Sequence, residues 1–375
     1  MESPFSFGKK VSGDQFLNRE MELDRLETNF VSGINTMVIA PRRWGKSSLV
    51  QKASERVEAK YPNIRVCHID LFRIKNEREF YEKLLSEIVK SSSSKWEDWM
   101  KNAKQFLKGL VSSFSVGVDP YQDFKFKLNW EEPEVLKDTI LELPEKIALK
   151  KNMKFVICID EFQKIDDFQD SLQIQQNLRS VWQSQQNCSY CLYGSKFHII
   201  NHLFSNDSMP FFKFGDSIYL DKIPEQHWHK FIKDKFTSHQ KGIDEKYIEH
   251  ILSLSDNLPF HVQQLSHQVW RLTDRKVDDK VLAMAIDELL KYNDILYGRL
   301  IDDLSELQIN LLQAISAGET MLTSKTVIQK YNLGTSGNVD TLKKALMKKE
   351  IISFSGSKPE FEDPLFAYWF KNYYC

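Results

Sequence analysis

The chain has 375 residues, 42% of them hydrophobic and 27% charged, which suits a folded protein of two or three domains and excludes a disulfide-dependent miniprotein or an extended disordered chain. Lys plus Arg number 51 and Asp plus Glu number 52, so a formal net charge of −1 excludes a global field that would draw the protein onto nucleic acid or anionic membranes.

The first part of the chain alternates helical and strand patterns. Apolar residues at helical spacing predict a helix over 20–32, which Gly33 ends, and the β-type run 36–39 predicts a strand. A second helix is expected to end near Pro62, before a strand over 64–71. This βαβ alternation predicts a parallel sheet flanked by helices, with ligands beyond the carboxyl ends of its strands.

The next elements interrupt and then complete this sheet. A helix near 77–90 is followed by a segment of about 91–133 that resembles an insertion and contains a predicted β-hairpin. A helix over 134–150 then leads to the apolar runs 155–162 and 190–195, which predict central strands.

The remaining sequence changes character twice. From 221 to 298 the pattern is helical, and beyond 299 three helices precede a two-stranded wing around Gly356. The predicted domains are therefore a sheet-containing core over 1–220, a helical lid over 221–298 and a winged helix over 299–375.

One loop carries a phosphate-binding pattern. The segment APRRWGKS at 40–47 matches G-x-x-x-x-G-K-[ST], with Ala40 in place of the first glycine. Because a strand precedes it and a helix follows, its backbone N–H groups are expected to wrap a phosphate chain, with Lys46 neutralising phosphate oxygens and Ser47 ligating Mg²⁺. The nucleotide-binding residues expected from this loop are Pro41, Arg42, Arg43, Trp44, Gly45, Lys46, Ser47 and Ser48. The alternative is a chance Gly-Lys-Ser that opens an ordinary helix.

Two acids, Asp160 and Glu161, end the apolar run 155–162. In P-loop enzymes an Asp at this position holds Mg²⁺, and an adjacent Glu orients and polarises the attacking water. Acidic pairs after strands are also common helix N-caps, so the pair alone leaves both interpretations open. Together with the loop it predicts a catalytic group of Lys46, Asp160 and Glu161, with Mg²⁺ held by Ser47 and Asp160.

Six short segments carry a family likeness: FLNRE at 16–20, APRRWGKS at 40–47, IDEFQ at 159–163, YGS at 193–195, LP at 258–259 and DPLFAYWF at 363–370. Together they resemble the bacterial and archaeal ATPases of the STAND group, MNS clade, within the AAA+ lineage, and the resemblance covers nearly the whole chain. It implies an α/β P-loop NTPase core with a parallel sheet and flanking helices, an all-α helical lid and a C-terminal winged helix.

The same resemblance implies further site residues. Asn18 and Arg19 are expected near the adenine, and Ser195 is expected to act catalytically by sensing the γ-phosphate. Pro259 is expected to approach the base, although Asn257 replaces the glycine of the family's Gly-x-Pro. The transition-state cation stays open among three arginines: Arg42, Arg43 and Arg179.

Two other ligands are disfavoured. Cys188, Cys191, His198 and His202 have the residue types of a zinc site, but the cysteine and histidine pairs are closer than the ~12 residues usual in zinc fingers. Four lysines of the third winged-domain helix have the charge of a DNA-reading helix: Lys343, Lys344, Lys348 and Lys349. However, residues 299–375 hold nine Lys plus Arg and nine Asp plus Glu, which favours protein or intramolecular contact over DNA.

The predicted function is that of a slow, Mg²⁺-dependent ATPase that acts as a nucleotide-driven conformational switch. The main alternative is a winged-helix DNA-binding regulator that uses ATP as a structural ligand, and a small-molecule P-loop kinase is a weaker third. ATP and ADP are the expected ligands, with a homo-oligomer and an unidentified protein client as further expected partners. Neither a secretory signal nor a stretch of ~18 apolar residues is seen, so a cytoplasmic location without membrane contact is expected.

Overall fold

The computed structural model describes residues 3–9, 16–92, 115–118, 124–127, 130, 133–355 and 358–374. The chain divides into two units, one formed by Arg19–Asp221 and the other by Lys222–Cys375 together with Met1–Asn18. Each unit encloses its own cluster of buried apolar side chains. The two are called the core unit and the helical unit below.

The core unit is built on a five-stranded parallel sheet with the strand order β2-β5-β6-β1-β7. Its elements are α1 (Glu20–Ser32), β1 (Thr36–Ile39), α2 (Lys46–Lys60), β2 (Ile64–Asp70), α3 (Glu77–Ser91), β3 (Ser115–Val118), β4 (Phe124–Lys127), α4 (Pro133–Lys151), β5 (Lys154–Asp160), a 3₁₀ helix (Phe162–Asp167), α5 (Ser171–Ser184), β6 (Cys188–Tyr193), α6 (Phe197–Ser205) and β7 (Asp216–Tyr219). Strands β1, β5 and β6 are almost wholly buried, as expected for a parallel sheet covered on both faces.

The register of the central strands brings three loops to one edge of the sheet. Leu192 of β6 pairs with Ile159 of β5 on one side and with Met37 of β1 on the other. Parallel strands end at the same edge, so the segments that follow β1, β5 and β6 begin side by side. This edge is called the carboxyl edge below, and it positions the predicted site.

The observed core differs from the prediction in several places, and β6 (Cys188–Tyr193) begins and ends two residues earlier than the predicted strand 190–195. Strand β7 and helix α6 lack a predicted counterpart, because β7 has four residues of which only Ile218 is fully buried. Strand β5 ends at Asp160 rather than 162, since Glu161 adopts a left-handed conformation with φ of 56°. The hairpin predicted within 91–133 is confirmed by antiparallel β3 and β4. Elsewhere in that segment the structure describes 91–92, 130 and 133, and the remaining residues lie outside the described part of the chain.

The helical unit contains helices and one two-stranded wing. Its elements are α7 (Glu225–Thr237), α8 (Glu245–Ser255), α9 (Pro259–Leu272), α10 (Asp279–Asp302), α11 (Glu306–Ser316), α12 (Lys325–Lys330), α13 (Ser336–Lys348), β8 (Ile352–Ser355), β9 (Lys358–Phe361), α14 (Pro364–Trp369) and a π-helical turn (Phe370–Tyr374). The lid boundary predicted at residue 298 falls inside α10. The aromatic residues Phe366 and Trp369 of α14 pack against Tyr297 of α10, and the Trp369 indole N–H donates to Asp294 of the same helix over 2.8 Å.

Candidate functional site

The loop between β1 and α2 contains two residues with left-handed backbone conformations. Arg43 and Gly45 have φ of 66° and 89°, whereas Ala40 is not among the residues with positive φ. Alanine therefore fits the first glycine position without backbone strain. The N-cap of α2 is Gly45, which has no side chain to cap the first turn, and backbone N–H groups at a helix N-terminus can bind an anion.

The Lys46 side chain folds back onto this loop. Its ammonium donates to the carbonyl oxygens of Ala40 and Pro41 over 2.7 and 2.6 Å, and the residue is only 6% exposed. The structure thus holds a buried ammonium at the start of α2, directed back at the loop that follows β1.

Ser47 and Asp160 come together across the carboxyl edge. The Ser47 hydroxyl donates to the Asp160 carboxylate over 2.9 Å, and the Glu161 backbone N–H donates to the other Asp160 oxygen over 2.9 Å. Burial raises the pKa of Asp160 to about 6, and the negative charges of Glu161 and Asp70 act in the same direction. A hydroxyl and a carboxylate side by side are the hard oxygen donors that Mg²⁺ prefers, so these residues fit that ion.

Glu161 is held by two donors on one oxygen. The Ser195 hydroxyl donates to Oε2 of Glu161 over 2.9 Å, and the Gln163 amide donates to the same oxygen. Ser195 follows β6 and Glu161 follows β5, so the sheet brings together two residues 34 positions apart. The sequence assigned no role to Gln163, although it lies in the IDEFQ segment that carries the family likeness.

Three further residues are predicted to contact the nucleotide: Asn18, Arg19 and Pro259. The Arg19 guanidinium is buried and donates to Glu22 over 2.9 Å and to the Asp221 backbone carbonyl. Asn18 and Pro259 belong to the helical unit, where Pro259 is the first residue of α9. Their predicted contacts with the nucleotide stay predictions.

The three candidate arginines differ in their surroundings. Arg42 and Arg43 are exposed in the β1–α2 loop, as is expected of groups that reach an incoming anion. Arg179 of α5 donates to the backbone carbonyls of Pro210 and Phe212, the latter over 2.7 Å. The Arg179 side chain thus stabilises the segment that precedes β7.

The zinc-type residues do not converge. Cys188 and Cys191 lie three positions apart on β6, so their side chains point to opposite faces of the sheet. Among the described residues, no group of three or more His, Cys, Asp or Glu side chains is arranged to hold a metal ion. Within the same part of the chain, no helix is both long and apolar enough to cross a membrane.

Comparison with known proteins shows that the fold of this chain is found elsewhere. A family profile described as a probable winged helix domain matches residues 295–372. A Walker-type ATPase of Pyrococcus abyssi has 18% identity and a TM-score of 0.66 over 97% of this chain and 98% of its own. No curated protein sequence matches the chain significantly.

Two archaeal ORC proteins are similar in the same way. The ORC2 protein of Aeropyrum pernix, in ADPNP–ADP complexes, has 12% identity and a TM-score of 0.56 over 94% of this chain and 92% of its own. The ORC1 protein of the same organism, in complex with DNA, has 12% identity and a TM-score of 0.52 over 95% and 92%. At these identities the likeness shows the fold alone. The predicted fold of an α/β P-loop core, helical regions and a C-terminal winged helix is confirmed.

Proposed function

We propose that this protein is a Mg²⁺-dependent ATPase in which the carboxyl edge of the core sheet binds and hydrolyses ATP. The observation that carries the proposal is the convergence of Lys46, Ser47, Asp160, Glu161 and Ser195 on this edge. Asp160 ends β5 and the others lie in segments that follow β1, β5 or β6, and hydrogen bonds of 2.9 Å join Ser47 to Asp160 and Ser195 to Glu161. The likeness of fold to a Walker-type ATPase supports the same conclusion.

Lys46 would bind the phosphate chain. Its buried ammonium donates to the carbonyl oxygens of Ala40 and Pro41, and a phosphate oxygen would add the attraction of opposite charges to such a hydrogen bond. The first turn of α2, which follows Gly45, would add backbone N–H donors to the same anion. Pro41, Trp44 and Ser48 complete the proposed loop contacts.

Ser47 and Asp160 would hold Mg²⁺. The ion, when bound, neutralises the negative charge of the phosphates. Burial opposes the ionised form of Asp160 in the protein alone, and a nearby dication would favour that form. The pair therefore supplies a carboxylate whose charge is stabilised once the site is loaded.

Glu161 would act as the general base. A carboxylate in this role must reach the attacking water with a free lone pair. Both hydrogen bonds given to Glu161 by described residues fall on Oε2, which leaves Oε1 for the water. Ser195 would donate to the γ-phosphate, as its place after β6 suggests.

The finer part of the proposal is that the protein is a switch of the STAND type. Two units with separate apolar clusters, connected at residues 18–19 and 221–222, suit a change of arrangement driven by nucleotide state. Within the helical unit we propose the lid over 221–298 and the winged helix over 299–375. A homo-oligomer and a protein client are part of this proposal.

Phosphate release from purified full-length protein tests it. We expect Mg²⁺-dependent release from ATP, loss of release in EDTA, and a rate that duplex DNA does not change. GTP in place of ATP measures base selectivity. ATP binding without phosphate release, together with strongly salt-dependent DNA binding, would instead favour a winged-helix regulator that uses ATP as a structural ligand.

A further inference from the structure

Gln163 lies beside the proposed general base. It is the second residue of the 3₁₀ helix Phe162–Asp167 and is only 2% exposed. Its side-chain amide donates to Oε2 of Glu161, the same oxygen that accepts from Ser195. A buried glutamine aimed at a carboxylate is a costly arrangement unless its hydrogen bond is used.

The orientation of the Gln163 amide follows from its neighbours. An ionised carboxylate only accepts hydrogen bonds, so the amide nitrogen must face Glu161 and Oε1 must point away. In that direction lies Gly194, where an added Cβ would come within 1.8 Å of the Gln163 Oε1. This close approach, rather than a positive φ, explains why residue 194 is glycine.

The Ser195 hydroxyl cannot donate to Glu161 and to the γ-phosphate at the same time. A serine hydroxyl has one proton, and in this structure Ser195 donates it to Glu161. Phosphate oxygens are also acceptors, so a Ser195 that donates to the γ-phosphate must release Glu161. Among the described residues, Gln163 is then the remaining side-chain donor to that carboxylate.

We infer that Gln163 is a positioning residue that fixes Glu161 through Oε2, presents Oε1 to the attacking water, and keeps the carboxylate in place when Ser195 turns to the phosphate. The inference rests on the proposed ATPase function and deepens it. It assigns Gly194 the role of making room for the Gln163 side chain.

The test compares two buried glutamines. Gln163→Met keeps the side-chain length and removes the amide donor. Gln175→Met is the matched control, because Gln175 is 0% exposed, donates to Asp166 over 3.5 Å, and has a buried Oε1 that lacks a hydrogen-bond partner, as does Gln163. The same two variants are also made in the Glu161→Gln background.

For Gln163→Met we expect kcat for ATP to fall at least about 10-fold with KM within about twofold of wild type, since misplacement of a reacting group slows chemistry without weakening binding. Gln175→Met should keep wild-type kcat. In the Glu161→Gln background, Gln163→Met should change kcat by less than about twofold, because the group that it positions is already gone. Thermal unfolding midpoints establish that the variants fold alike.

Three results would each overturn the inference while leaving the ATPase proposal intact. They are an unchanged kcat in Gln163→Met, a further 10-fold loss of kcat when Gln163→Met is added to Glu161→Gln, and a rise in KM that accounts for the whole effect. A wild-type protein that releases no phosphate would overturn both. Should Gln163→Met fail to fold, Gln163→Asn serves instead, because it keeps a buried amide that is one methylene too short to reach Glu161.

Discussion

Charged side chains lie both at the carboxyl edge of the core sheet and on α13, the third helix of the winged domain. They are largely buried at the carboxyl edge and largely exposed on α13. At the carboxyl edge Lys46 is 6% exposed, and burial shifts the pKa of Asp160. On α13, Lys344 and Lys348 are exposed, and Lys343 lies 3.5 Å from Asp340. Burying charged groups is unfavourable for folding, so their burial at the carboxyl edge supports the proposal that this edge is the functional site.

The largest expected effect comes from removing the buried ammonium. Lys46→Ala should weaken ATP binding and lower hydrolysis by about 10³-fold or more, because it deletes the point charge directed at the phosphates. Isothermal titration and phosphate release measure the two effects. Lys60→Ala is the control, since Lys60 ends the same helix and pairs with Glu27 on the surface over 2.6 Å. Retained turnover in Lys46→Ala would remove the site from this loop.

The next largest effect is expected on hydrolysis alone, from a change at Glu161. Glu161→Gln should keep Mg·ATP bound yet slow hydrolysis by at least about 10²-fold, because the amide preserves the shape of the carboxylate but cannot accept a proton from water. Single-turnover hydrolysis and nucleotide titration check both parts. If ATP binding is lost instead, Glu161 has a structural role.

The charge of Asp160 predicts a pH-dependent stability in nucleotide-free protein with EDTA. Its folded-state pKa is about 6 against an ordinary 3.8, so the folded protein binds the proton more tightly than the unfolded chain. Stability from this group is full below pH ~4 and is lost as the pH rises through ~6. At pH 7.5 the Asp160→Asn protein should therefore have a free energy of unfolding higher than that of wild type by up to about 3 kcal/mol, and should unfold at a higher temperature. Near pH 4 the two proteins should be equally stable.

Asp167→Asn is the matched control for that measurement. Asp167 is exposed and pairs with Lys164 over 3.0 Å at the end of the 3₁₀ helix that follows Glu161. It should not share the gain in stability at pH 7.5. An Asp160→Asn protein that is less stable than wild type at both pH values would contradict the assignment of a buried, destabilising carboxylate.

The smallest effect is expected from the winged helix. In full-length protein, joint replacement by Ala of Lys343, Lys344 and Lys348 of α13 and of Lys349, which follows that helix, should change duplex DNA binding little, because wild-type binding should already be micromolar or weaker. Lys349 donates to the Asp303 backbone carbonyl over 2.8 Å, and Lys343 lies over the Phe354 ring. Fluorescence anisotropy over a salt series measures the DNA affinity of both proteins. Nanomolar, sequence-selective binding abolished by the replacement would favour the DNA-regulator alternative.

Local chemistry made much of the fold predictable. The helix 20–32 and its Gly33 stop, the strand 36–39 and the wing around residue 356 coincide with observed elements, because each has a strong pattern and clear end signals. The four-residue β7 has neither. Its Asp216 is fixed by the guanidinium of Arg25 and the amide of Asn29, which are almost 200 positions away in the chain.

The sequence by itself determined which residues could carry the chemistry: the loop at 40–47, the acids at the end of β5 and the serine after β6. Only the tertiary structure decided how they are joined. The parallel register brings Ser47 to Asp160 and Ser195 to Glu161, and the approach of Gln163 to Gly194 appears only when β5 and β6 lie side by side. Residue type fixes what a side chain can donate or accept, whereas distance along the chain says nothing about which partner it meets.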